Sequence, residues 1–258
     1  MRFAKLHGLG NDFVLLDLRG GGAPLAPERA VALCDRHLGI GADGVLTLLE
    51  GDRMLVQNSD GSVPEMCGNG ARCAALWIAT DGCTRPGSGK VMLLTDAGPR
   101  PCAVDAPSAR QGLVEVEMGI ALLEAPRGLP FPNRRADAWP VSMGNPHRVL
   151  FEDGDPLLLA REFGPVLCRA ENANIEFARR LAPQRYQVSV YERGAGLTQA
   201  CGTGACAVAA AAVARGEATR NEAISVMLPG GELVLRVDAD NRVRMRGPAE
   251  LVFLGEFG

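Results

Sequence analysis

The sequence predicts an α/β or α+β protein with much antiparallel sheet, built by internal duplication into two related halves. Three observations carry that expectation. Short apolar runs bounded by Gly or Asp read as strands, and several later segments alternate apolar and polar residues with a period of two. Helical stretches are few and lie between those strands. Finally, Gly10-Asn11 recurs 134 residues later as Gly144-Asn145, and Cys67-Gly-x-Gly-Ala71 recurs at the same offset as Cys201-Gly-x-Gly-Ala205. Across the windows 67–82 and 201–216, six of 16 positions are identical, where background composition gives about one.

Taken in order, Asp12–Asp17, Gly44–Leu49 and Lys90–Thr95 are the apolar strand runs. Alternation marks Leu113–Met118, Tyr186–Tyr191, Glu232–Val237, Arg242–Arg246 and Leu251–Leu254, which should be antiparallel with one wet face. Helices are expected over Pro27–Leu38 and Pro156–Glu162, each opened by a proline, over Gly68–Thr80, and over the Ala-rich Gly202–Gly216 with its glycine stop. The stretch Glu124–Pro140 carries Pro126, Pro130, Pro132 and Pro140 and reads as a loop or linker between the halves.

Composition removes several function classes. The 258 residues hold 27 basic against 30 acidic side chains, with no basic run, so binding to nucleic acid through phosphate neutralisation is not expected. The longest apolar run, Ala205–Ala214, is too short to span a bilayer. No apolar segment follows the N-terminal charge, which makes the cytosol the expected compartment. Of the eight cysteines none is paired as C-x-x-C and the histidines number three, so a metal site is not expected. Only Lys5 and Lys90 are lysines, which leaves two candidates for Schiff-base chemistry.

The repeated motif places a cysteine sulfur directly before an apolar helix in each half. Helix N-termini stabilise a thiolate, and glycines there let an anion approach the backbone closely. If the halves pack about a pseudo-twofold axis, Cys67 and Cys201 would flank one bound carbon. Inversion at an α-carbon needs that: one group removes a proton from one side while a second delivers a proton to the other. The remaining cysteines, at 34, 73, 83, 102, 168 and 206, lack this context and read as packing residues. His147, in Gly144-Asn145-Pro146-His147 after an expected strand, stands out among the histidines.

These residues resemble a known family. Lys5–Phe13, Asn58–Ser62, Met66–Cys73, Met143–His147, Asn172–Ile175, Tyr191–Gly196 and Thr198–Gly204 together are similar to diaminopimelate epimerases, in order and over nearly the whole chain. The resemblance implies two pseudo-symmetric domains, each a mostly antiparallel or mixed sheet wrapped around a central helix. Residues 1–112, completed by 249–258, would form the first half, and 113–248 the second. It also implies a cofactor-independent isomerase that interconverts LL- and meso-diaminopimelate in lysine and peptidoglycan synthesis. Cys67 and Cys201 would be the acid and base, with His147 and Glu192 tuning the thiols. Gly68, Asn69, Gly202 and Thr203 would bind the reacting carboxylate, and Asn11, Asn58, Asn145, Asn174, Glu192 and Arg193 would contact the substrate. Arg193 suits a distal carboxylate, which a guanidinium grips in a planar fork. No cofactor, metal, nucleic acid or membrane partner is implied, and a homodimer is the assembly to test.

The chain departs from the family pattern at Gly44, where some members carry Gln, and at Leu197, where Glu is frequent. A racemase of proline or hydroxyproline type is the nearest alternative. A thiol hydrolase with Cys67 as nucleophile and His147 as base would leave Cys201 idle. A non-enzymatic amino-acid sensor would not need both cysteines.

Overall fold

A computed structural model describes residues 1–131 and 134–258. The chain divides into two compact units, Met1–Val116 with Gly247–Gly258, and Glu117–Arg246. The first unit runs β1 (Arg2–Gly8), β2 (Asn11–Asp17), α1 (Pro27–Cys34), β3 (Gly44–Leu49), β4 (Arg53–Asn58), α2 (Gly68–Ala79), β5 (Gly87–Thr95), β6 (Gly98–Ala106) and β7 (Gln111–Ile120), inside which the chain passes to the second unit. There it continues through β8 (Leu122–Leu123), β9 (Arg127–Phe131), β10 (Arg134–Ser142), β11 (Pro146–Phe151), α3 (Pro156–Glu171), β12 (Asn174–Ala182), β13 (Arg185–Glu192), β14 (Gly196–Leu197), α4 (Gly202–Ala214), β15 (Ile224–Leu228), β16 (Gly231–Val237) and β17 (Arg242–Glu256).

Pairing repeats strand for strand. β1 is antiparallel to β2, β2 parallel to β3, β3 antiparallel to β4, β4 parallel to β5, and β5, β6 and β7 follow antiparallel. In the second unit β10, β11, β12, β13, β15, β16 and β17 repeat that series of senses in the same order. The end of β17 returns to the first unit and pairs with β1, skipping Val252 between the pairs Lys5↔Phe253 and Leu6↔Leu251. The two segments expected at Arg242–Arg246 and Leu251–Leu254 are one continuous strand, and the bulge falls within the second of them.

Each sheet wraps a helix. α2 touches β1 to β6, and Gly68 to Leu76 are all buried along it. α4 is buried from Gly202 to Val213 except at Thr203. A helix apolar on all sides can only be stable when enclosed, and its run of alanines lets the surrounding strands approach. A second layer covers each sheet. α1 packs Ala30 and Cys34 against Val14, Leu16 and Val45, and α3 packs Ala160, Leu167 and Cys168 against Leu150, Ile175 and Phe177. The parallel strands between two layers are therefore continuous apolar runs, as in Phe13-Val14-Leu15-Leu16.

Several local expectations fail for tertiary reasons: Tyr186–Tyr191, expected to be antiparallel, lies in β13, which is parallel to β15 on one side, and the helix expected over Pro27–Leu38 ends at Cys34. The proline-rich stretch Glu124–Pro140 is not a linker: β9 and most of β10 occupy it, with Pro130 opposite Arg135. β9 pairs with β10, and at a sheet edge a residue without an N–H is tolerated. Pro132 lies outside the described residues. Helix α3 runs on from Glu162 to Glu171 through Gly164 and Pro165. A Cβ at Gly164 would lie 2.6 Å from Tyr191 Cβ, so this glycine lets α3 seat against β13 and contact overrides its low propensity. Asp155 caps the start by accepting from the N–H groups of Leu157 and Leu158 at 2.9 and 3.0 Å.

Candidate active site

In the first unit Cys67 is the N-cap of α2, with extended backbone, and its Sγ accepts the Gly70 N–H at 3.4 Å. The sulfur thus takes the place of the usual hydroxyl cap. Buried Asn69, one residue into the helix, donates from Nδ2 to Asn11 Oδ1 at 2.9 Å. Asn11 in turn donates to Asp43 Oδ2 at 2.7 Å, and Arg36 holds Asp43 and Asp12 at 2.8 Å each. Asp12 also pairs with buried Lys5 at 2.6 Å. Burial pushes the Asp12 carboxyl up, but the hydrogen bonds from Arg36 and Lys5 outweigh it and lower it to about 2. The ionic cluster therefore fixes which end of the Asn11 amide points at α2. Asn58, at the end of β4, donates to Ser62 Oγ at 2.9 Å across a turn that Gly61 closes at φ +85. It sits across from Gly44 in register. A Cβ at Gly44 would lie 2.7 Å from the Gln57 carbonyl, so the departure from Gln at this position matches a tight strand crossing.

The second unit repeats the cradle with more ionisable groups. Cys201 caps α4, and its Sγ accepts the Gly204 N–H at 3.4 Å. The Thr203 hydroxyl lies 3.6 Å from that sulfur and accepts from Asn145 Nδ2 at 3.3 Å. Asn145 and Thr203 are thus the counterparts of Asn11 and Asn69. His147 is fully buried, its Nε2 at 3.0 Å from Asn145 Oδ1 and its Nδ1 at 2.6 Å from Glu176 Oε1. Asn174 accepts the Arg193 N–H at 2.8 Å, while the exposed Arg193 guanidinium reaches Asn172. Leu197 is exposed on β14, beside Tyr191.

Charge in this half is held back by burial. Desolvation pushes the Cys201 thiol well above its ordinary value, and the nearby Glu192 and Glu176 carboxylates push it further, against hydrogen bonds from Thr203 and the Gly204 N–H. Glu192 is raised by desolvation too, opposed by hydrogen bonds from Thr198 and Cys201. Both shifts favour the protonated, uncharged forms of the neighbouring thiol and carboxyl. Asp43, Thr198 and Glu176 escape sequence reasoning. Only Glu176 left a trace, as an acid inside the apolar strand Asn174-Ile175-Glu176-Phe177.

All eight cysteines are free thiols. Among the described residues no cluster of His, Cys, Asp or Glu is arranged to hold a metal, and no helix is long and apolar enough to cross a membrane.

The duplicated sheets around capped helices define the class by its fold, an α/β fold that solved structures of epimerases share. A hydroxyproline epimerase from Agrobacterium vitis superposes with a TM-score of 0.74 at 12% identity, covering 100% of this chain and 90% of that one. A Bacillus anthracis phenazine biosynthesis protein of the PhzF family gives 0.75 at 13%, covering 100% and 99%. At such identities the likeness is one of fold. Sequence is more specific: the chain belongs to the diaminopimelate epimerase family, whose model matches residues 3–123 and 140–252. The diaminopimelate epimerase of Synechococcus sp. (strain JA-3-3Ab) is 44% identical over 286 residues, covering 99% of this chain and 97% of its own. That of Synechocystis sp. (strain PCC 6803) is 41% identical over 282 residues, covering 99% and 98%.

Proposed function

We propose that this protein interconverts LL- and meso-diaminopimelate without a cofactor, with Cys67 and Cys201 as the acid and base pair, in the cytosolic synthesis of lysine and peptidoglycan. One observation carries the reading: each unit presents a cysteine as the sulfur cap of an enclosed helix, with an Asn from the preceding strand region bonded to the second helical residue. One cysteine as thiolate removes the α-proton while the other, as thiol, returns a proton to the opposite side. The carboxylate of the reacting centre is held by N–H groups of Gly68-Asn69 and Gly202-Thr203, as helix ends hold anions. His147 and Glu192 tune the thiols. Asn11, Asn58, Asn145, Asn174 and Glu192 contact the substrate, and Arg193 grips its distal carboxylate.

The two compact units are, on this reading, the products of the duplication. The exposed Val252, Phe253 and Leu254 on the closing strand support a homodimer, which sedimentation of the purified protein checks. A chiral assay of LL-diaminopimelate with pure protein, in the presence of a chelator and a carbonyl reagent, tests the reaction. Faster racemisation of hydroxyproline or proline would transfer the assignment to that substrate class.

A further inference from the structure

Strand register allows the units to be compared position by position, and at two positions they differ in kind. Phe13 on β2 lies beside Gly44 on β3, and His147 on β11 lies beside Asn174 on β12. Two residues further along each second strand, Leu46 corresponds to Glu176. The helices bear this out independently: a Cβ on Gly70 would lie 2.8 Å from Leu46 Cδ2, and one on Gly204 would lie 2.9 Å from Glu176 Oε1. Phe13 and Leu46 are ordinary core at 2% and 0% exposure, yet His147 and Glu176 are both at 0%. Desolvating two such groups costs several kcal/mol, and an apolar pair of similar volume is often as stable or more so. Stability therefore does not account for the exchange.

Hydrogen-bond direction does. Both ring nitrogens of His147 face oxygen acceptors, Glu176 Oε1 at 2.6 Å and Asn145 Oδ1 at 3.0 Å, an arrangement satisfied by two N–H donors. Asn145 passes the direction on by donating to Thr203 Oγ1 at 3.3 Å. The Thr203 hydroxyl then has its own proton to give to Cys201 Sγ, 3.6 Å away. The buried carboxylate also lies against the first turn of α4, close enough that only glycine fits at 204, where the helix end favours negative charge.

We propose that Glu176 is a positioning residue, which by binding His147 Nδ1–H holds the imidazole as a double donor and so orients the chain His147–Asn145–Thr203 to end with a donor on the Cys201 sulfur. The inference rests on the reading of Cys201 as a reacting thiol. The donor chain acts against the burial that pushes the Cys201 thiol up: it gives the sulfur a proton to accept whenever the thiol ionises, with Glu176 as counter-ion to the doubly protonated ring. Without the carboxylate, Nε2 presents its lone pair, the Asn145 amide turns over, and Thr203 accepts from S–H instead. Phe13 and Leu46 offer Cys67 no ionisable counterpart, so the two thiols are set by different means.

Long-range proton–nitrogen NMR of the nitrogen-15-labelled full chain tests this, with the His147 signals identified by their loss in His147→Asn. In the unaltered protein at pH 7 both His147 nitrogens should carry protons, whereas Glu176→Gln should give a single-N–H ring. Turnover of LL-diaminopimelate by Glu176→Gln should fall about 100-fold in kcat, as when a reacting group loses its orientation, with KM little changed, and Glu176→Asp should recover part of it. A neutral His147 in the unaltered protein, the same nitrogen pattern in both proteins, or an unchanged kcat overturns the proposal. The first of these needs no variant to fold. Should the unaltered protein leave LL-diaminopimelate untouched, the assigned reaction fails, and the NMR comparison, which needs no turnover, still decides the role of Glu176.

Discussion

Replacing Asp12 by Asn removes one charge from the cluster that orients Asn11 and preserves the shape of the side chain. Asp12 is lowered from 3.8 to about 2, and such a difference between unfolded and folded states corresponds to about 2 kcal/mol of stability at neutral pH. Its Lys5 partner is buried, with 8% of its side chain exposed, and would keep the Gly41 carbonyl as an acceptor. Stranding a buried charge costs about 3–5 kcal/mol when nothing replaces the partner, so the carbonyl and the remaining amide oxygen should hold the loss to about 2–4 kcal/mol. The sign with pH follows from the lowered value. The stabilisation is fully present above the unfolded carboxyl's 3.8 and is lost as pH falls through the folded value of about 2. Urea unfolding of the two proteins should therefore show the full difference at pH 7 and only about half of the linkage part at pH 3. A difference below about 1 kcal/mol at pH 7, or one that grows on acidification, would refute the ionic account of this cluster.

Three further outcomes are expected. Cys67→Ala and Cys201→Ala should each abolish inversion in both directions, read by chiral chromatography, while in deuterated water the intact protein places deuterium at the α-carbon of the inverted product; normal epimerisation by either variant sinks the two-thiol mechanism. Arg193→Lys keeps the charge but loses the planar fork, so kcat/KM for diaminopimelate should fall at least about tenfold with melting temperature unchanged, and an unchanged kcat/KM would remove Arg193 from the site. Gly204→Ala gains at most about 1 kcal/mol of helix propensity, against about 1–3 kcal/mol of overpacking from a Cβ placed 2.9 Å from Glu176 Oε1 and 3.3 Å from Cys201 Sγ. Its melting temperature should drop by a few degrees; a rise would mean that the pocket at α4 is looser than these distances imply.

Much of the fold was legible from neighbours in sequence. The caps Cys67 and Cys201, the enclosed helix after each, and the common offset of Asn11 with Asn145 are local patterns, and a duplication copies local patterns intact. The closing strands were legible as alternation, though not their continuity through residues 247–250 nor the bulge at Val252, because both are set by the partner strands. The prolines of Glu124–Pro140 spoke for a linker, and the pairing of β9 with β10, with Pro130 opposite Arg135, overruled them. Gly164 and Pro165 spoke for the end of α3, and the approach to Tyr191 overruled them.

The sequence by itself determined which sulfurs cap helices, since a cap is decided by the residues that follow it. It could not determine how the thiol of Cys201 is set. The motif offset is 134 residues, but between β2 and β3 and between β11 and β12 the spacing differs by four, so the counterpart of Leu46 is Glu176 only in the folded register. His147 and Glu176 are 29 residues apart, and each alone would be an unfavourable group to bury. Tertiary structure decides their protonation because removal from water penalises an unpaired charge far more than a paired one, and pairing depends on where two strands stop sliding past each other.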